Sequence, residues 1–302
     1  MKKIFLVIAL SLTSILAFSQ ELIDRIPIRV VGNLIFIELH VNNCEEPLNF
    51  MFDSGAGIAV IDNKVTNELK LDISGTSKIG TSGKTIETKE SSSNELTFSD
   101  KFKAADISLI LMDLSHISEY LKVNVDGIIG FDLLKSAIVE TNIDEMEILL
   151  FKNVNYKYSG NANPLELIEL ESNHFGLPVE LKLKGREKII TLVVKIDTGA
   201  ANYLTFHNEA IEKHDLINQK KKYKARKGFG ADSTMTSNLK GKISSAKFAS
   251  IEWKNVPAVF EIDPLNQNSK RKADGLIGQE MLLDFNITYN LNAKVMYLEK
   301  RK

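Results

Sequence analysis

The chain has one cysteine, Cys44, so no disulfide can close within it and its stability has to come from a buried core. Glycine (17) and proline (6) are too scarce for a collagen-like or low-complexity chain, and no heptad run suggests a coiled coil. Neither sign of charge dominates: 38 Lys plus Arg stand against 39 Asp plus Glu, a formal net charge of −1. That balance, with a single short basic run holding one aromatic, excludes a nucleic-acid binder of the usual strongly basic kind. Long apolar runs are missing beyond the first residues, where Ile4–Ala17 extends for 14 positions, fewer than the roughly 20 needed to span a bilayer.

That first run follows Lys2 and Lys3 and ends in Ala17-Phe18-Ser19 before Gln20, the pattern of a cleaved secretory signal. Cleavage is expected after Ser19, so residues 1–19 are a signal peptide and the mature protein is periplasmic or secreted, without a stable membrane span. No cysteine follows the run to take a lipid. No long propeptide is evident between Gln20 and Gly32.

What the chain does have is an internal repeat. Leu48–Gly57 reads Leu-Asn-Phe-Met-Phe-Asp-Ser-Gly-Ala-Gly, and Ile190–Ala201 reads Ile-Thr-Leu-Val-Val-Lys-Ile-Asp-Thr-Gly-Ala-Ala. Each is an apolar run delivering an Asp into a hydroxyl-Gly-Ala turn, and 197 minus 53 is 144, close to half the chain. Gly32 and Gly176 both lie 21 residues ahead of their Asp, each followed by an apolar alternation at period two that marks a strand with one buried face. Downstream, Asp126-Gly127-Ile128-Ile129-Gly130 answers Asp274-Gly275-Leu276-Ile277-Gly278 at an offset of 274 minus 126, or 148. Four residues have entered a loop of the second copy. Two lobes follow, 20–155 and 156–302, with the polar stretch Asn153–Pro164 as linker. The lobes differ in charge: residues 20–157 hold 13 Lys plus Arg against 22 Asp plus Glu, residues 158–302 hold 23 against 17, so the two should attract.

Strand dominates the local reading, with turns expected at Asn42-Asn43, Ser82-Gly83, Lys184-Gly185 and Lys240-Gly241. Helices are few and short: Asn63–Leu69 and Asn208–His214, each capped by its Asn, Ile110–Leu121, and a turn of helix after Gly130 and after Gly278.

An Asp at the end of a buried strand is costly to ionise unless hydrogen-bonded or paired, so its placement there twice suggests chemistry. If the two turns face each other, like-charge repulsion makes the carboxyls share one proton. One is then a base that can deprotonate a water, the other an acid that can protonate the carbonyl under attack.

These residues resemble the two-lobed aspartic proteases of the pepsin and retropepsin clan, and the likeness extends over nearly the whole mature chain. The resemblance implies an all-β fold of two barrel-like lobes with few short helices. It makes Asp53 and Asp197 the catalytic pair, with Ser54 and Thr198 bracing the loops across the lobes and Gly55 and Gly199 shaping the turns. Ile128-Ile129-Gly130 and Leu276-Ile277-Gly278 stand where the clan has strands crossing each loop, with Ile129, Gly130, Ile277 and Gly278 supporting it. Ala56 and Ala200 are more similar to the retropepsin-like branch and its bacterial secreted relatives than to pepsin, where Ser or Thr commonly follows the Gly. Without that hydroxyl donor the pair should titrate higher, placing activity in mildly acidic to near-neutral conditions. The flap candidates are Gly80-Thr81-Ser82-Gly83 and Gly228-Phe229-Gly230-Ala231, neither with the Tyr of pepsin's flap. Both motifs lie in one chain, so a monomer suffices and a homodimer is possible. The expected partner is a peptide or protein substrate, with no cofactor and no metal.

Other chemistry is poorly represented. The five histidines, His40, His116, His174, His207 and His214, are scattered and read as surface or structural, with no acidic partner at metal-ligand spacing. Gly-x-Ser-x-Gly and phosphate-loop motifs are absent, and Cys44 sits in a polar turn without a neighbouring His. The basic segments 220–227 and 270–272 read as solvated strand and loop. Two alternatives to an active endopeptidase are a catalytically inactive protease-fold binding or scaffold protein of the cell envelope, and a two-carboxylate hydrolase such as a glycosidase.

Overall fold

A computed structural model describes residues 21–80, 85–183, 185–217, 223–230, 232–262 and 273–302. The signal segment, the turn Ser82-Gly83, Lys184, Ala231 and Lys270–Lys272 lie outside the described residues. The fold is all-β with few short helices, and the described residues form one hydrogen-bonded sheet of thirteen strands and one of ten. Among the described residues the longest helices, Ser115–Leu121 and Asn208–His214, have seven residues each.

The repeat is visible in the topology. Leu48–Phe52 runs parallel to Gly127–Ile129, and Ile189–Asp197 parallel to Gly275–Gly278. Each crossing strand is also antiparallel to the strand that follows the Asp turn, Ala59–Asp62 in the first copy and Leu204–Phe206 in the second. Parallel neighbours are buried on both faces, which is why residues 50–52 and Gly127–Ile129 are buried at consecutive positions, whereas Ile189–Asp197 alternates until its last two residues. The two acidic residues opening the crossing strands do the same work. Asp126 accepts from the amide of Asn49 and Asp274 from the amide of Val193, both at 2.9 Å, pinning each crossing strand to its neighbour at positions 144 apart.

Where the copies meet, Ile138–Asn142 pairs antiparallel with Phe285–Asn290, with Glu140 opposite Thr288. Thr288 is the repeat equivalent of Glu140 at the offset of 148, so the pseudo-twofold axis passes through this pair. Strands from both ends of the chain complete this shared sheet: Leu22–Val31 pairs with Glu147–Phe151, and Pro164–Glu166 with Val295–Lys300. The linker is fastened to it, with Tyr158 stacked on Tyr297 at 3.8 Å and its hydroxyl donating to Glu299. One apolar cluster runs through both copies, from Phe50 and Phe52 to Phe206 and Phe260, with Phe52 edge-on to Tyr289 at 6.2 Å. A contiguous core of this kind replaces the disulfides that the chain cannot form.

Several local expectations are corrected. The helix expected over Ile110–Leu121 begins only at Ser115: Ile110–Met112 ends the strand Phe102–Met112, parallel to Ala59–Asp62, where burial on both faces outweighs helical spacing. Lys240-Gly241 is not a turn but lies within the strand Met235–Lys242, and the missing side chain of Gly241 makes room for the Tyr223 ring, 2.6 Å from where a Cβ would stand. Asp62 rather than Asn63 caps the first short helix, accepting from the amide of Lys64 at 2.8 Å. Asn208 is the first helical residue and not a cap, its amide reaching Glu212 one turn on. Gly176 lies inside the strand Phe175–Lys182, whereas Gly32 forms a positive-φ turn with Asn33, so these glycines mark register rather than a shared turn. Cys44 does have a histidine beside it: the His40 ring bonds the Cys44 carbonyl at 3.0 Å, while the thiol donates to the Glu46 carbonyl.

Candidate active site

Each Asp stands at the end of a strand held from the side by its crossing strand. The Asp53 amide donates to the Ile129 carbonyl at 2.9 Å, and Gly278 donates to Tyr203 beside the second loop at 2.7 Å. Gly130 and Gly278 have no side chain because the loops press against them. A Cβ at 130 would lie 1.9 Å from the Asp53 carbonyl oxygen, and one at 278 would lie 2.6 Å from that of Ala200. The next amides, Phe131 and Gln279, donate to the carbonyls of Ala56 and Ala200 and close the turns.

The two loops are then joined through their hydroxyl residues. The Ser54 amide donates to Thr198 Oγ1 at 2.8 Å, and the Thr198 amide donates to Ser54 Oγ at 3.1 Å. Each hydroxyl donates in turn across the lobes, Thr198 to the Phe52 carbonyl at 3.1 Å and Ser54 to the Ile196 carbonyl at 3.2 Å. Both side chains are buried, so these four bonds are made away from competing water. The exchange needs a hydroxyl at both positions, since an amide and a carbonyl must be satisfied on each side.

This brings the carboxyls together. Asp53 Oδ1 accepts from the amides of Gly55 at 2.7 Å and Gly199 at 3.1 Å, and the Asp53 and Asp197 side chains hydrogen-bond to each other. Glycine is required on both sides: a Cβ at Gly55 would lie 2.6 Å from Asp197 Cγ, and one at Gly199 would lie 2.3 Å from Asp53 Cγ. Burial, and then the negative charge of Asp197, push the Asp53 carboxyl up to about 7. Burial opposes ionisation of Asp197 too, but the Lys195 ammonium beside it prevails and holds it below the ordinary carboxylate range. Lys195 Nζ lies 2.8 Å from Asp197 Oδ2.

Sequence reasoning passed over Lys195 and assigned His174 a surface or structural place. Burial, and then the Lys195 charge, lower the His174 imidazole to about 4, and its ring hydrogen-bonds the Gly55 backbone. The loop carrying it also ties the lobes, with Asn173 Nδ2 donating to the Gly57 carbonyl at 2.9 Å. The available signal was a lysine interrupting an otherwise apolar strand. His207, with no acidic partner at metal-ligand spacing in the sequence, pairs with Glu261 at 2.8 Å through a fold contact 54 residues away. No cluster of His, Cys, Asp or Glu among the described residues could hold a metal.

Of the flap candidates, Gly80 ends the strand Gly75–Gly80, whose partner strand begins at Thr85, and Gly83 lies outside the described residues. Gly228 and Phe229 are in the strand Lys224–Phe229 of the second-lobe hairpin, which turns at Gly230. Its tip reaches the first lobe: Phe229 stands edge-on to His116 at 5.5 Å and Tyr120 at 5.2 Å, and His116 Nε2 bonds the Gly230 carbonyl at 3.1 Å.

Comparison with known proteins agrees with this architecture. A sequence model described as Aspartyl protease matches residues 37–133, the span holding Asp53 and Gly130. The fold is similar to that of the aspartic proteinase from Irpex lacteus, with a TM-score of 0.58 at 12% identity over 92% of this chain and 97% of that one. No curated protein sequence matches the chain significantly. The chain thus has the pepsin-like fold, and the match to the Aspartyl protease model takes in the first of its two Asp-hydroxyl-Gly motifs.

Proposed function

We propose that the protein is an aspartic endopeptidase that hydrolyses peptide bonds with a water activated between Asp53 and Asp197. The observation that carries this reading is the buried, hydrogen-bonded carboxyl pair, held by the Ser54–Thr198 exchange, in which one member ionises easily and the other resists. Such a pair holds one proton over a wide pH range, and one proton is what the reaction needs. The carboxylate takes a proton from water as its oxygen attacks the carbonyl carbon, while the carboxylic acid gives its own to the carbonyl oxygen. As the tetrahedral intermediate collapses, the amine leaves with the proton taken from water, and the other carboxyl recovers its proton from the diol. The oxygen that accepts charge is protonated within the same pair, so no cofactor or metal is called on.

The hairpin tip at Phe229 serves as a flap over the bound peptide, with Gly228 and Gly230 as its hinges; the first-lobe hairpin at Gly80 is its counterpart. Both motifs in one chain make a monomer sufficient. The basic, apolar segment 1–19 directs the protein to the periplasm or the exterior. Incubation of the mature chain with a mixed peptide library, with and without a transition-state analogue of peptide hydrolysis, tests the reading. Cleavage that the analogue blocks and that Asp197→Asn abolishes is the expected result. Binding of peptides without turnover in the wild type would make the chain a binding protein on a protease fold.

A further inference from the structure

The two halves of the repeat share the hydroxyl and glycine residues that shape the loops but differ in the charged and titratable groups that face the carboxyls, Lys195 and His174 in the second copy standing against Met51 and Val30 in the first. By the offset of 144, the equivalent of Asp197 is Asp53 and the equivalent of Lys195 is Met51. Met51 is buried in an apolar cluster of the first lobe. Lys195 lies two positions before Asp197 on the same strand, hence on the same face, and its ammonium is 2.8 Å from Asp197 Oδ2 with the two side chains only 22% and 13% exposed. Gly176 is the residue paired with Lys195 on the neighbouring strand.

We propose that Lys195 is a positioning residue that fixes the ionised carboxylate on Asp197 and leaves the shared proton on Asp53, so that Asp197 is the base toward water and Asp53 the acid toward the carbonyl. The assignment rests on reading the pair as hydrolytic. The groups facing the Asp197 carboxylate are Lys195 from its own strand, Asp53 from the first-lobe loop, and His174 from the turn ahead of the neighbouring strand. His174, lowered to about 4, is neutral above that pH, which leaves Lys195 as the cation that breaks the symmetry over the rest of the range up to about 7. Asp53 has backbone amides but, among the described residues, no cation of its own lobe acting on it, and its proton persists to about 7. A geometrically symmetric pair thereby acquires a fixed polarity, and with it a fixed orientation of the water and the carbonyl.

The proton's location can be read without substrate. In the full mature chain labelled with carbon-13 at the aspartate carboxyl, resonances assigned by their loss in Asp53→Asn and Asp197→Asn are followed against pH in the wild type, Lys195→Met and Lys195→Arg. Asp197 is expected to ionise first in the wild type, to titrate higher in Lys195→Met by about one pH unit, and to stay low in Lys195→Arg. The acid limb of kcat/KM should follow, moving alkaline-ward in Lys195→Met by the same amount, about a tenfold loss on that flank. Met is tolerated at the equivalent first-lobe position; should Lys195→Met not fold, Lys195→Gln replaces it. Asp53 ionising first in the wild type, which requires no lysine variant, or an unmoved Asp197 titration in a folded Lys195→Met, overturns the inference. Titrations as expected in a protein that cleaves no peptide would uphold Lys195 and reject the peptidase reading.

Discussion

The amide of Gly199 donates to Asp53 Oδ1 at 3.1 Å, so a backbone group of the second lobe holds the carboxyl of the first. No side chain fits between them, since a Cβ at 199 would lie 2.3 Å from Asp53 Cγ. Gly199→Ala must therefore displace Asp53, and Gly55→Ala must displace Asp197. Each is expected to lower kcat/KM by about 100-fold or more, because misplacement by an ångström is enough for that loss. Steady-state kinetics on a cleaved library peptide check it.

Asp53→Asn and Asp197→Asn should each abolish peptide hydrolysis with the fold retained. The two groups act as one unit on one water, so the double variant should be hardly worse than either single. Near-normal turnover in either would point to a different active site.

The same buried acid affects stability. Asp53 titrates at about 7 in the fold against 3.8 ordinarily, so its folded pKa is raised. Its favourable contribution is complete below about pH 4 and is lost as pH rises toward 7, where the unfolded chain has ionised and the folded one resists. Asp53→Asn is expected to stabilise the fold above pH 7 by about 2–4 kcal/mol and to do little at about pH 3. Urea unfolding of both proteins at the two pH values measures the difference. Greater stability of the wild type at high pH would contradict the assignment.

Activity should follow a bell with its acid limb below the ordinary carboxylate range, where Asp197 ionises, and its alkaline limb near 7, where Asp53 loses its proton. Ala56 gives Asp53 no hydroxyl donor, and Ala56→Ser should favour the ionised form and draw the alkaline limb acidward. A kcat/KM profile that declines well before neutrality in the wild type, or an alkaline limb that stays in place in the serine variant, would separate the working pH from these groups.

Removing one partner of the Ser54–Thr198 exchange strands buried amides and carbonyls. Ser54→Ala and Thr198→Val should each cost about 1–3 kcal/mol in denaturant unfolding. Because the two hydroxyls belong to one reciprocal exchange between the same two loops, the double variant should cost less than the sum. Additive losses would show that the hydroxyls act separately.

The sequence alone was enough to show the repeat, the dominance of strand and the two Asp-hydroxyl-Gly turns, because each rests on a local pattern that recurs, while the crossing of each turn by a strand and the two-lobed all-β fold were implied by the resemblance those residues carry. Apolar positions at successive residues, ended by an acid and a glycine, force a buried strand to stop at a turn, and nothing distant changes that. Tertiary structure decided the rest. Ile110–Met112 became strand because a parallel neighbour buried both its faces, and Gly241 stayed in a strand because Tyr223 packed where its side chain would be. His207 acquired Glu261, and His174 came under Gly55, across separations that carry no local signal. Above all, two nearly identical motifs predict two equivalent carboxyls, and the fold makes them unequal. The strand alone puts Lys195 on the face of Asp197, its ammonium 2.8 Å from the carboxylate, but only folding brings Asp53, whose own lobe has the buried Met51 at the equivalent place, against that charged pair.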